Sequence, residues 1–164
     1  MHDTLLSLPP LSLYVHIPWC IRKCPYCDFN SHASDGHLPE DQYVQALIRE
    51  LEIELPYAQG RKLSSIFFGG GTPSLFSAES IGRIIQAARR RFDFNDTIEI
   101  TLEANPGTFE QAKFNGFRDV GVNRLSIGIQ SFDDRHLTRL GRIHSAENAR
   151  AAVAMAQSAG FDNI

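Results

Sequence analysis

The chain has 164 residues, 43% of them hydrophobic and 21% charged, and a formal net charge of −3. That length supports one domain with a real core, and the slight negative balance, with no basic run beyond Arg89-Arg90-Arg91, argues against a nucleic-acid partner held by charge. No apolar stretch is long enough to span a bilayer, and Met1 to Pro10 lacks the basic start and apolar run of a signal peptide, so a cytoplasmic location is expected.

Leu11 to His16 is a short apolar run ahead of Pro18 and reads as a strand. The loop from Trp19 to Leu38 holds every cysteine of the chain. Glu40 to Glu54 reads as a helix. Tyr43, Val44, Leu47, Ile48, Leu51 and Leu55 recur at helical spacing, Glu40 and Asp41 suit its positive N-terminal end, and Pro56 stops it. Ser65 to Phe68 reads as a buried strand stopped by Gly69-Gly70-Gly71. Ser77 caps a helix through Arg91 that turns Ile81, Ile84, Ile85 and Ala88 inward, and its three arginines read as a solvated face.

Thr97 to Glu103 alternates, with Ile98, Ile100 and Leu102 on one side. Thr108 and Gln111 have the spacing of a capping box for the next helix. Asn123 to Ile129 reads as a strand. A last helix starts at Ser145, lays Ala149, Ala152, Val153 and Ala156 along one face and stops at Gly160. Phe161 to Ile164 reads as another strand beginning. Strands alternating with helices predict an α/β fold with a parallel sheet, either open or closing into a (β/α) barrel. In both cases the site lies at the strand C-termini, where the cysteine loop, the glycine loop, Glu103 and Gln130 fall.

Cys20, Cys24 and Cys27 are tightly clustered and unmatched by any other cysteine, which points to metal rather than to disulfides. Thiolates suit an iron–sulfur cluster, or zinc in a Cys3His site with His32 as the fourth ligand. His16, at a strand end, reads as a satisfied structural histidine. His32 and His144 are conceivable heme ligands, and His2, His37 and His136 read as surface residues.

Several further blocks occur in order: Tyr14 to Pro18 (YVHIP), Cys24 to His32 (CPYCDFNSH), Gly69 to Ser74 (GGGTPS), Glu103 to Gly107 (EANPG), Asn123 to Phe132 (NRLSIGIQSF) and Leu140 to His144 (LGRIH). Together they resemble the radical S-adenosylmethionine (SAM) superfamily, in the branch of oxygen-independent coproporphyrinogen III dehydrogenases and HemW-type heme chaperones. The resemblance implies that residues 1–164 form a single core domain, the N-terminal part of a partial TIM-type (β/α) barrel whose later strands are missing. It implies a [4Fe–4S] cluster on Cys20, Cys24 and Cys27, with one iron open to SAM. Tyr26 would meet the adenine region, and Gly70, Gly71 and Thr72 the methionine moiety. Glu103 and Gln130 would meet polar groups, Arg142 the carboxylate or ribose, and Tyr14 would line the same site.

Within that branch, the dehydrogenases carry a further cysteine where this chain has Phe29, and they have an N-terminal arm ahead of the first strand. Both departures favour the heme chaperones. The resemblance then implies heme as cargo, a heme-accepting protein and an electron donor. The alternatives are a porphyrinogen dehydrogenase and a zinc-stapled binding module.

Overall fold

We analysed a computed structural model of the chain, which describes residues 8–107 and 111–164. The elements run β1 (Leu11–Ile17), β2 (Trp19–Cys20), β3 (His32–Ala33), α1 (Glu40–Glu54), β4 (Leu63–Gly70), α2 (Ala78–Arg89), β5 (Phe94–Ala104), α3 (Gln111–Asp119), β6 (Arg124–Ile127), α4 (Asp134–Arg139) and α5 (Ala146–Ser158). The main sheet has the order β1-β4-β5-β6, and every pairing in it is parallel. Helices return the chain between those strands, as the alternation predicts. Phe161 to Ile164 forms no strand, but the Leu125 N–H donates to the Asn163 carbonyl at 3.0 Å, so this end lies along the free edge of β6.

The two faces of the sheet differ in kind. Val15, Ile17, Ile66, Phe68, Ile100, Leu102 and Leu125 alternate onto the buried face and form one core with Ile81, Ile84, Ile85, Phe114 and Phe117 from the helices. Tyr14, His16, Phe67, Glu103 and Ser126 remain partly or largely accessible on the other face. Burial of the first set drives folding. The second set is left to line a site.

Several boundaries differ from the sequence reading. β4 continues through Gly69 and Gly70, which stay in register with His16 and Ile17, because pairing with β1 supplies the hydrogen bonds that glycine alone does not promise. Pro56 does not stop the chain from coiling. It sits in the first turn of a short 3-10 helix, Leu55–Ala58, where its missing N–H costs nothing, and Leu55 is exposed rather than inward. α2 ends at Arg89, two residues short of the predicted end. β5 starts three residues earlier than predicted, and β6 closes at Ile127. The pair β2–β3 and helix α4 were not anticipated. α4 is one short turn capped by Asp133 with Leu137 as its buried apolar residue, too short to show a periodicity. The predicted capping box depends on Thr108, outside the described residues.

Arg91 folds back on the Ala87 carbonyl and pairs with Glu52, while the Arg89 guanidinium lies 4.6 Å from the Phe94 ring centroid. The basic run therefore packs on its own surroundings more than a solvated face does.

Ser77 shows how two elements are tied. Its Oγ accepts from the Ser80 N–H at 3.1 Å as the N-cap of α2 and donates to Glu40 Oε2 at 2.7 Å at the start of α1. Burial pushes the Glu40 carboxyl upward, yet the hydrogen bonds from Ser80 and Ser77 prevail and hold it below the ordinary carboxylate value. A folded value that is depressed stabilises the fold above the unfolded value, and this is lost as pH falls through the folded one. Ser77→Ala is expected to cost about 1 kcal/mol near neutrality. Urea unfolding will show a smaller loss in acid, once Glu40 is protonated in both proteins.

Candidate functional site

The cysteine loop is held by backbone bonds at both ends. The His32 N–H donates to the Pro18 carbonyl at 2.8 Å, and the Ser34 N–H to the Cys20 carbonyl at 2.7 Å. Inside the loop the Cys27 N–H closes a turn on the Cys24 carbonyl at 3.0 Å, and Lys23 Nζ reaches the Phe29 and Ser31 carbonyls at 3.3 and 3.4 Å. His16 anchors the loop from β1: its Nε2–H donates to the Asn30 carbonyl at 2.8 Å, and its Nδ1 accepts from the Tyr14 hydroxyl at 2.9 Å. That is the structural role expected of it.

Glycine is needed where β4 meets this loop. Gly70 has φ 116, and a Cβ there would stand 2.7 Å from His16 Cε1. At Gly71 a Cβ would stand 2.6 Å from the Trp19 carbonyl oxygen. The Gly71 and Thr72 N–H groups donate to the Ile17 and Trp19 carbonyls at 2.8 and 2.7 Å. The glycine loop thus lies flat against the start of the cysteine loop.

The two loops border a cavity of about 290 Å³. Its wall contains Cys20, Cys24, Tyr26 and Cys27 from the cysteine loop, Gly70 and Gly71 from the end of β4, Glu103 from β5, and Gln130 and Arg142 from the loops that follow β6 and α4. Two residues expected with them stand apart. Thr72 is 2% exposed, its Oγ1 accepts from Asn105 Nδ2 at 2.8 Å, and it lines a smaller neighbouring pocket that shares Cys24, Asn105 and Arg142 with the cavity. Tyr14 borders an adjoining cleft with Phe67, and that cleft shares Phe29, Gly70 and Glu103 with the cavity. Asn105, Ser126 and Gly128 also line the wall and were not singled out from the sequence. Asn105 stands two residues after Glu103 in the same block, so its position was visible but its contacts were not.

Arg142 ties these parts together. Its Nη2 donates to Asn105 Oδ1 at 2.6 Å and to the Gly128 carbonyl at 2.7 Å, and its Nη1 lies 3.3 Å from Cys24 Sγ. His144 is 5% exposed and donates Nε2–H to the Ile129 carbonyl at 3.0 Å. Arg142 and His144 thus hold the backbone beside Gln130, whose φ of 67 is unusual for a residue with a side chain. Burial lowers the His144 pKa, which favours its neutral form, and the residue lines a small neighbouring pocket with Cys24, Asn105 and Arg142. His32 is exposed on β3, and His37 and His136 are exposed as expected, while His2 lies outside the described residues.

The electrostatics are set by desolvation. Burial raises the Glu103 pKa, and the hydrogen bond from the Gly70 N–H opposes that rise. Tyr14 is raised by burial and by the neighbouring Glu103 carboxylate. Tyr26 is raised chiefly by burial, with Arg142 pulling down and Cys24 pushing up. A carboxylate poorly solvated in a cavity favours a cationic ligand.

The donor set fits a soft metal group. Three thiols border one cavity, Cys20 from a buried position and Cys24 and Cys27 from half-buried ones, with a cation beside one sulfur. Among the described residues no three His, Cys, Asp or Glu side chains are grouped as a single-ion site, and His32 is exposed and does not line the cavity that the three thiols border.

The sequence matches the Radical SAM superfamily over residues 14–164. It is 56% identical over 162 residues to the heme chaperone HemW of Haemophilus influenzae, covering 96% of this chain and 42% of that protein. It is 51% identical over 157 residues to the HemW of Escherichia coli, again covering 96% and 42%. The chain therefore spans about two-fifths of the length of these curated relatives. Among solved structures, coproporphyrinogen III oxidase (HemN) from Escherichia coli, a radical SAM enzyme, superposes with a TM-score of 0.83 at 35% identity, covering 93% of this chain and 35% of that one. With its parallel α/β sheet, its cysteine loop and a family match over residues 14–164, the chain belongs to the Radical SAM superfamily, and within it is similar to the HemW proteins.

Proposed function

We propose that this chain is the cluster- and SAM-binding part of a heme chaperone that delivers heme to an acceptor protein in the cytoplasm. The observation that carries the reading is that three thiols and the strand-end polar groups all border one cavity of about 290 Å³. Cys20, Cys24 and Cys27 would hold a [4Fe–4S] cluster. When bound and reduced, the cluster supplies the single electron that breaks a carbon–sulfur bond of SAM.

The chain's own residues would bind and orient SAM. Glu103 offers a desolvated carboxylate to a positive group, and Gln130 and Arg142 offer polar contacts from the loops after β6 and α4. Gly70 and Gly71 let the ligand approach the backbone closely, and the Tyr26 ring covers the cavity from the loop. Tyr14 would act from the adjoining cleft. Thr72, buried, would act through Asn105 rather than by contact.

Heme as cargo is supported by the apolar rim. Ile21, Tyr26 and Phe29 on the cysteine loop are 49%, 49% and 59% exposed, and Ile143 nearby is 54% exposed. Exposed apolar groups gathered at a cavity mouth mark a site for an apolar partner. A second reading, oxidative decarboxylation of coproporphyrinogen, is favoured by the 35% identity to HemN and opposed by Phe29 at the position of the additional cysteine.

Anaerobic reconstitution of the full chain is expected to yield about four irons per chain, with an electron paramagnetic resonance (EPR) spectrum that SAM alters and with saturable hemin binding. Cys24→Ala is expected to abolish the cluster. One tightly held zinc and no cluster in the folded wild type would sink the reading, and release of a vinyl-bearing porphyrinogen would favour the dehydrogenase. Glu103 gives a separate test. Its raised folded value means that it favours the fold below the unfolded carboxyl value and loses this as pH rises through the folded one. Glu103→Gln is therefore expected to match wild-type stability in acid and to exceed it at neutral pH in urea unfolding, while weakening SAM binding by equilibrium dialysis.

A further inference from the structure

We propose that Arg142, besides any contact with SAM, is a positioning residue that donates a hydrogen bond to the Cys24 sulfur and raises the reduction potential of the cluster. The inference rests on the reading of the three cysteines as cluster ligands.

The geometry comes from both sides of the guanidinium. One nitrogen, Nη2, is fixed by Asn105 Oδ1 at 2.6 Å and the Gly128 carbonyl at 2.7 Å. The planar fork then aims the other, Nη1, at Cys24 Sγ at 3.3 Å and at the Tyr26 hydroxyl at 3.5 Å. Neither anchor belongs to the cysteine loop. The cation is therefore held in place by the ends of β5 and β6 and acts on the loop from outside.

The backbone around Arg142 is braced against the same loop. Gly141 has φ 69, and a Cβ there would stand 2.8 Å from Pro25 Cδ, next to Cys24. The Arg142 N–H donates to the Leu137 carbonyl at 2.9 Å, which ties the turn to α4. The turn after α4 thus seats its arginine against Cys24 before any ligand arrives. Hydrogen bonds to ligating sulfurs and nearby positive charge favour the reduced, more negative form of an iron–sulfur cluster. This effect needs no SAM, which separates it from a role in ligand binding.

The test is an EPR-monitored redox titration of the anaerobically reconstituted full chain without SAM. It compares the wild type with Arg142→Gln and Arg142→Lys. Arg142→Gln is expected to shift the midpoint to more negative potential by about 59 mV, a tenfold change in a one-electron equilibrium. Arg142→Lys keeps the charge without the fork and is expected to shift less. A wild-type midpoint in SAM-free Arg142→Gln overturns the inference, even where SAM binding weakens, because Arg142 is then a ligand contact alone. If Arg142→Gln folds by circular dichroism but holds no cluster, Arg142→Lys decides: a shifted midpoint supports the inference and a wild-type midpoint overturns it. A wild-type chain that takes up no cluster at all removes instead the reading of the cysteines beneath it.

Discussion

Parallel register is the constraint on which the rest of this structure depends. Ile17 pairs with Gly70, Phe68 with Leu102, and Ala104 with Ile127. Strands that run the same way and pair in this register finish on the same side of the sheet. Residues far apart in sequence, such as Gly70, Glu103 and Gln130, are thereby delivered to one cavity wall. The apolar face that fixes the register is buried under the helices. A one-residue slip would turn Val15, Ile66 or Ile100 to the open face, so packing on one side of the sheet guards the geometry of the other.

The cysteine loop is a long irregular segment, and loops of this kind order themselves only through contacts made elsewhere. Here those contacts are directional. Backbone bonds to Pro18 and Cys20 close the loop at its base, Lys23 staples its interior, and His16 grips Asn30. Arg142 reaches it from the far wall. The loop is thus tied to β1 at one side and to the loops after β5, β6 and α4 at the other. A group bound by the three sulfurs would sit on a loop already tied at both sides.

Desolvation sets the chemistry of the wall. Burial pushes Glu103 and Tyr14 upward and His144 downward, in each case in the direction of the neutral form. At Glu103 the Gly70 N–H opposes the effect of burial. His144 is different. It is buried and spends its Nε2–H on the Ile129 carbonyl, so it shapes the backbone beside Gln130.

Much of the fold and part of the site were legible in the sequence. The helical repeat from Tyr43 to Leu51, the caps Ser77 and Ser145, and the alternation of Ile98, Ile100 and Leu102 follow from periods of about 3.6 and 2, and those periods are local. The three cysteines were legible because their chemistry depends on residue type and short spacing, and the ordered blocks identified the family. Tertiary structure decided what depends on distance in space. Gly69 and Gly70 join β4 because β1 pairs with them, and Thr72 is buried with its hydroxyl bonded to Asn105. Asn105 and Gly128 gain their importance from an arginine at least 14 residues away in the chain. No local pattern encodes such a contact, because it arises only when the strand ends and the turn after α4 are packed around the same cysteine loop.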